Sequence, residues 1–466
     1  MYAHFRHAQN GTRRCVLGES NSRALHPIPT VEFIAGRSVD GPSTAAHHRC
    51  HDRCRTLPEP MSLTMRPDVH FTRRTTTVMS DIVSERLDAA SAPLQFAYWV
   101  PNVSGGLVVS TIEQRTDWSY DYNRKLAVLA ENNGFDYALS QVRYIASYGA
   151  AYQHESTSFS LALLLATERL KVIAAVHPGL WQPGVLAKFL TTADHLSGGR
   201  AAVNVVSGWF KDEFTKLGEP WLEHDERYRR TEEFITYLRR IWTDDHAELK
   251  GDFYRLHDFD LKPKPVDLPG RPHPEIFQGG NSTAARALAG RVSDWYFSNG
   301  KDFDGLTEQV VDVNTEAALH GRTVKFGLNG FLIGRDTEAE ARDVLREIVD
   351  KADRQAVEGF GSAVKQAGNS TADGKGMWQD SEFADLVQYN DGFRTGLVGT
   401  PEQIAERIVA YKTRGVNLFL LGFLHYLEDV EYFGTHILPL VRELEADLTS
   451  SGRLESELAR NGVLTA

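Results

Sequence analysis

His224 and Tyr228 stand four residues apart in His224-Asp-Glu-Arg-Tyr228. On a helix that spacing places an imidazole and a phenol on one face. The pair can grip a planar polar ligand, one ring hydrogen-bonding and the other stacking or bonding; a solvated, charged first helical turn is the alternative. Gln278-Gly-Gly-Asn-Ser-Thr-Ala284 offers anion chemistry. Its glycines allow close backbone approach, and the helix that follows presents free N–H groups and its positive dipole end. Gly280, Asn281 and Ser282 would hold a phosphate there, unless the segment is a plain strand–helix turn with a Ser or Asn cap. His177 ends a very apolar run and precedes Pro178-Gly179. It reads either as a proton-handling group or as a satisfied structural histidine. Arg394, in Phe393-Arg-Thr-Gly-Leu-Val-Gly399, either closes over an anion or sits in solvent. Trp99, Trp181 and Trp209 follow apolar runs and suit the walls of a dry cavity, or core.

These residues need a scaffold that gathers segment ends. Leu94–Val100, Phe135–Ser140, Lys171–His177, Ala201–Ser207, Pro274–Gln278, Trp295–Ser298, Val324–Ile333 and Asn417–Phe423 read as strands. Their apolar runs lack alternation, as strands buried on both faces do. Amphipathic segments near 117–133, 183–196, 224–243, 303–320, 337–357 and 430–446 read as helices between them. Thr400-Pro-Glu-Gln403 opens one more with a capping box. About eight strand–helix repeats imply a parallel α/β sheet, closed as a (β/α)8 TIM barrel with insertions. An open Rossmann sheet is the runner-up, but no Gly-x-Gly-x-x-Gly follows a strand. In such a barrel the site lies at the C-terminal strand ends. That adds Asn102, Gln141, Asn204 with Ser207, Asn299 and Gly422–His425 to the candidates.

Absences narrow the chemistry. No nucleophile elbow, phosphate-binding Walker loop or His-Glu-x-x-His occurs, and no plausible metal-ligand spacing follows residue 79. The net charge of −11 argues against nucleic acid and anionic membrane as partners. No run of about 18 apolar residues is present to span a bilayer. All three cysteines, Cys15, Cys50 and Cys54, lie in the first 78 residues, which excludes thiol nucleophiles and disulfides from the main domain. Those 78 residues hold eleven Arg, no Lys and six acids, without apolar periodicity. They are expected to be a disordered extension, or upstream sequence joined by a mis-assigned start, since Met79 opens a plausible soluble N-terminus. His47-His-Arg-Cys-His-Asp-Arg-Cys54 has metal-binding residue types but lacks a second distant pair for a zinc site. Residues 79–93 read as a lead-in, 94–446 as the barrel and 447–466 as a tail. The Gly-, Ser-, Asp- and Gln-rich stretch 360–395 reads as a long mobile loop, and loops of that length are usually functional.

Taken in order, Ala174-Ala-Val-His-Pro-Gly179, Leu196-Ser-Gly-Gly-Arg200, Asn204-Val-Val-Ser-Gly208, His224–Tyr228, Phe277–Ser282 and Leu397-Val-Gly-Thr400 resemble the bacterial-luciferase-like flavin monooxygenases. Within that family, Phe96–Gly106 and Tyr137–Tyr144 look most like the two-component alkanesulfonate and sulfone branch. The resemblance implies a barrel that takes reduced FMN from a separate NAD(P)H-dependent FMN reductase and uses O2 to break a C–S bond. For dimethyl sulfone the products would be methanesulfinate and formaldehyde. A short alkanesulfonate as substrate, or a deazaflavin-dependent oxidoreductase of the same fold, are the alternatives; a non-catalytic flavin-binding barrel is the reading from another class. The family's flavin contacts fall on His224 and Tyr228, its phosphate contacts on Asn281 and Ser282, and its strand-end contacts on Gln141, Val176 or His177, and Asn204. His177 or His224 would transfer the proton. The resemblance further implies a cytoplasmic homo-oligomer, dimer or tetramer. The branch's expected pocket cysteine is missing after Cys54, and Arg394 is placed differently from the family's loop Arg. Both departures suit a neutral sulfone, with His177, Asn102 and Gln141 as donors to its oxygens.

Overall fold

A computed structural model describes residues 69–368, 376 and 378–464. The Met1–Arg66 unit lies outside them, and with it the cysteines and the His47–Cys54 cluster. Eight strands form a closed parallel barrel: β1 Gln95–Val100, β2 Tyr137–Ser140, β3 Lys171–Val176, β4 Ala201–Val205, β5 Glu275–Gly279, β6 Trp295–Ser298, β7 Lys325–Phe331 and β8 Val416–Gly422. Each pairs with its neighbour in sequence, and β1 closes on β8 through Ala97 opposite Leu420. The helix that begins at His224 ends at Thr243, as its periodicity predicts.

Strand parity divides the core. Ala97, Leu139, Ile173, Ala175, Phe277, Phe297 and Leu420 fill the barrel's interior. Val176, Val203, Val205 and Ile276 point outward, against Leu186, Leu190, Phe234 and Leu238 of the surrounding helices. The interior is plugged at the N-terminal strand ends by charge. Glu275 accepts hydrogen bonds from Tyr137 Oη at 2.8 Å, Lys171 Nζ at 2.9 Å and Trp295 Nε1 at 3.0 Å. Burial alone would raise the Glu275 carboxyl, but the Lys171 charge and these bonds outweigh it and hold it below the usual range.

Three sequence expectations are revised. The helix expected over 337–357 is two helices, Glu338–Asp350 and Arg354–Gly368. The second occupies the start of the stretch read as a loop. Its Val357, Phe360 and Val364 are buried at helical spacing, a signal that Gly359 and Gly361 obscure. Further helical turns occur at Phe383–Leu386 and Gly392–Thr395, while residues 369–375 and 377 lie outside the described part. The strand expected to continue to Ile333 breaks after Phe331, and Ile333-Gly334 pairs instead with Val398-Gly399. The helix Ser156–Ala166 and the hairpin Ala247–Lys250 with Arg255–Phe259 have no counterpart in the sequence reading. The first of these is apolar on most sides, so it shows no amphipathic period. The first described helix, Val69–Ser91, begins ten residues before Met79.

Candidate active site

A cavity of about 890 Å3, counting its mouth, opens at the C-terminal strand ends. Strand parity decides which side chains reach it. Trp99, Leu139, Gln141, Arg143, Ala175, Asn204, Phe297, Asn299, Asn329 and Leu420 all line it. Trp99 Nε1 donates to Asn329 Oδ1 at 2.5 Å, and Asn329 Nδ2 donates to the carbonyl of Asn390 at 2.8 Å. The far wall comes from the insertion between β7 and β8: Phe360, Trp378, Tyr389 and Asn390. These rings lock together, Phe360 lying 5.5 Å from Trp378 and 5.1 Å from Tyr389 between centroids. Trp209 meets Trp378 edge-on at 5.6 Å. Trp378 Nε1 donates to the Tyr389 carbonyl at 2.7 Å, and Tyr389 Oη donates to the Tyr148 carbonyl.

Several polar atoms at this end are buried without a partner: Gln141 Nε2, Asn204 Oδ1, Gln278 Oε1 and Arg394 Nη1. Such atoms cost stability unless a ligand or water satisfies them. Beside them, Tyr228 meets the Gly279–Ser282 turn. Gly280 has φ of +145°, and a Cβ there would lie 2.6 Å from both Tyr228 Oη and Ala285 Cβ. The His224 ring packs 4.8 Å from that of Tyr228, and its Nδ1 lies 2.8 Å from Asp225 Oδ1. Ser282 caps the helix Thr283–Val292 by accepting from Ala285 N. Asn281 is drawn aside, its Oδ1 accepting from Gln309 Nε2 and its carbonyl from Arg286 Nε. The orphaned atoms and the glycine-shaped cradle fit a flat, polar, phosphate-bearing cofactor such as FMN. Among the described residues no group of three His, Cys, Asp or Glu could hold a metal.

Other expected site residues lie elsewhere. His177 is buried, with Nδ1 2.8 Å from the Val206 carbonyl and Nε2 facing Glu213 Oε2 at 3.3 Å. Val176 points outward into the helix layer, and its carbonyl already accepts from Val206 N. Asn102 is also buried. Its Nδ2 donates to the carbonyls of Gln141 and His154, and its Oδ1 accepts from Gln141 N, which leaves nothing for a substrate. Trp181 stands outside the cavity wall, donating to Tyr144 Oη at 3.0 Å. These four support the site's loops. Arg394 keeps an unpartnered nitrogen at this end of the barrel, close enough to Lys301 and Asp391 for their charges to act on one another.

Asn299, expected at a strand end, lines the cavity, whereas the sequence reading missed Arg143, Glu213, Asn329 and the insertion's aromatic wall. Arg143 and Asn329 had a signal: each keeps the parity of an inward-facing strand. Glu213 is almost fully buried, accepts from Tyr144 N and faces His177. Burial would raise its carboxyl, but the contacts with His177, Tyr144 N and the Arg143 charge pull it below the usual value. Asp391 goes the other way. Burial pushes it up to about 7 against the Ser381 hydroxyl, which donates to it at 2.7 Å, and against the Lys301 and Arg394 charges.

The profile of luciferase-like monooxygenases matches residues 94–418, spanning the barrel from its first strand into its last. The chain belongs to the luciferase-like monooxygenase family. Its relatives in that family include the FMNH2-dependent dimethylsulfone monooxygenase of Pseudomonas putida, 64% identical over 357 residues, 77% of this chain and 98% of the relative. A protein with the same description from Pseudomonas fluorescens (strain Pf0-1) is 62% identical over 362 residues, 78% of this chain and 98% of the relative. Among solved structures, riboflavin lyase with modified FMN and riboflavin shares the luciferase-like fold. Its TM-score is 0.66 at 21% identity, over 76% of this chain and 92% of that one.

Proposed function

We propose that this luciferase-like monooxygenase uses reduced FMN and O2 to cleave dimethyl sulfone. The net reaction is (CH3)2SO2 + O2 + FMNH2 → CH3SO2− + HCHO + FMN + H2O + H+. The observation that carries this reading is 64% identity across 98% of a dimethylsulfone monooxygenase, together with a cavity of matching chemistry at the barrel mouth. Bound reduced FMN supplies the two electrons that activate O2. His224, Tyr228, Gly280 and Ser282 would hold it, with Asn281 turned toward Gln309 and Arg286 beside them, and Gln141 and Asn204 would satisfy their orphaned atoms on it. His224 Nε2 makes no hydrogen bond among the described residues, so His224 can exchange a proton at the site. His177 acts as a positioning residue through Glu213. The aromatic wall keeps water from the reacting atoms. A separate NAD(P)H-dependent FMN reductase supplies the cofactor, and the enzyme works in the cytoplasm as a dimer or tetramer. No described helix is long and apolar enough to cross a membrane.

The test is a coupled assay with FMN, NADH, a flavin reductase and O2, with dimethyl sulfone and methanesulfonate in separate reactions. Formaldehyde and methanesulfinate should form from dimethyl sulfone. Turnover of methanesulfonate alone would move the substrate to the sulfonates. Silence with both, with tight FMN binding, would defeat the proposed substrate class.

A further inference from the structure

Among the cavity's lining residues, Arg143 is the one charged side chain. Its guanidinium carbon lies 4.3 Å from the centre of the Trp209 ring and 5.8 Å from that of Phe210. Stacking of this kind fixes the plane of the group and leaves its edge free. Of its five N–H donors, one is used inside the protein, from Nη1 to Ser147 Oγ at 3.2 Å. Arg227, Arg230 and Arg394 each have nitrogens sealed off without a partner; Arg143 has none. Its remaining donors therefore reach open space, and the open space beside them is the cavity.

The loop that carries it is held from behind. Glu213 accepts hydrogen bonds from the backbone N–H groups of Tyr144 and Ile145, the two residues that follow Arg143. The carboxylate thus fixes the loop's backbone while His177 faces its other oxygen. The side chain of Arg143 makes no hydrogen bond to Glu213, so its donors stay available.

We propose that Arg143 binds the two sulfur-bound oxygens of the substrate and takes up the negative charge of the departing sulfinate. This rests on the dimethyl sulfone reading. A planar guanidinium fork matches two oxygens on one centre. Insertion of one oxygen atom into a C–H bond gives a hydroxymethyl sulfone. When that species breaks down, the C–S electron pair stays on sulfur, the hydroxyl proton leaves to water and the carbon becomes formaldehyde. A full negative charge appears on the SO2 group as the bond breaks. Hydrogen bonds from Arg143 to a neutral sulfone then become bonds between opposite charges, stronger in the transition state than in the ground state. The same geometry makes the anionic product a better ligand than the neutral substrate. Methanesulfinate should therefore inhibit competitively with dimethyl sulfone.

The experiment has a binding arm and a kinetic arm. Sodium methanesulfinate is titrated calorimetrically into the full chain, with and without FMN, for wild type, Arg143→Met and Arg143→Lys. Thermal melts confirm that each variant is folded. Wild type should bind, Arg143→Met should lose about 10- to 100-fold in affinity, and Arg143→Lys should fall between. In the kinetic arm, Arg143→Met should lower kcat for dimethyl sulfone more than it raises KM. The proposal is overturned if wild type binds no methanesulfinate in either state, or if both folded variants bind it as wild type does. If wild type binds methanesulfinate through Arg143 but does not turn over dimethyl sulfone, the proposed reaction fails while the anion site stands.

Discussion

The two ends of the barrel treat buried polar groups in opposite ways. At the N-terminal strand ends, Glu275 is met by Lys171, Tyr137 and Trp295, and each donor finds the carboxylate within 3.0 Å. At the C-terminal ends, Gln141, Asn204, Gln278 and Arg394 keep buried atoms with no partner. The Glu275 cluster meets its own donors without a ligand, whereas orphaned side chains such as Gln141 and Asn204 line an open cavity. Ser293 and Arg322 show that orphaned atoms also occur at the N-terminal end, so it is their coincidence with the cavity, at Gln141 and Asn204, that sets the C-terminal end apart.

The largest effect should come from breaking the satisfied end. Glu275→Ala leaves Lys171 and the Tyr137 and Trp295 donors unmet and should cost about 2–4 kcal/mol in denaturant unfolding. The kcat/KM of the folded protein should not change; a selective loss of kcat/KM would show that the two ends are coupled. Next is the cradle at the open end. Gly280→Ala introduces a Cβ into Tyr228 Oη and Ala285 at a positive φ and should weaken FMN affinity at least about tenfold, read by fluorescence quenching, for roughly 1–3 kcal/mol of strain. Unchanged affinity would remove the turn from the cofactor site.

Asn204→Leu sharpens the contrast. It deletes an acceptor that the protein alone does not satisfy, so unfolding stability should hold or rise by up to about 1 kcal/mol while FMN affinity falls roughly tenfold. A loss of stability greater than that would mean the amide is structural. The smallest effect concerns Asp391, which holds its proton more firmly folded than unfolded because burial raises it to about 7. The stability it contributes is present at acid pH and is lost as pH rises from about 4 through 7, by some tenths to about 1 kcal/mol per pH unit. Lys301, Arg394 and Asp385 act on it, with Ser381 donating to it. Asp391→Asn should flatten the dependence of Tm on pH between about 4 and 7; an equally steep slope would assign it to another group.

Much of the barrel was legible because each strand is a short apolar run and several helix ends carry their own signal. Thr400 and Thr337 form capping boxes, and Gly198 ends its helix with φ of 68°. The pairing of His224 with Tyr228 follows from local spacing, whereas the meeting of Tyr228 with the Gly280 turn, 52 positions away, does not. His177 was legible as an important residue but not in its role, because Glu213 lies 36 positions away and no local pattern announces it. The insertion's wall was missed for a related reason. Phe360, Trp378 and Tyr389 look like loop aromatics in sequence and become a wall only when packed on Trp209 from another strand end.

That wall has a consequence for how the family diversifies. Phe360, Trp378, Tyr389 and Asn390 all come from one stretch of chain, entered after β7 and left before β8. The cofactor cradle at Gly280 and the plug at Glu275 belong to the barrel itself. One wall of the cavity thus travels as a single stretch of sequence, while the opposite wall, with Trp99, Arg143 and Asn329, is tied to the barrel strands, so exchanging that stretch would reshape one side of the cavity and leave the other as it is.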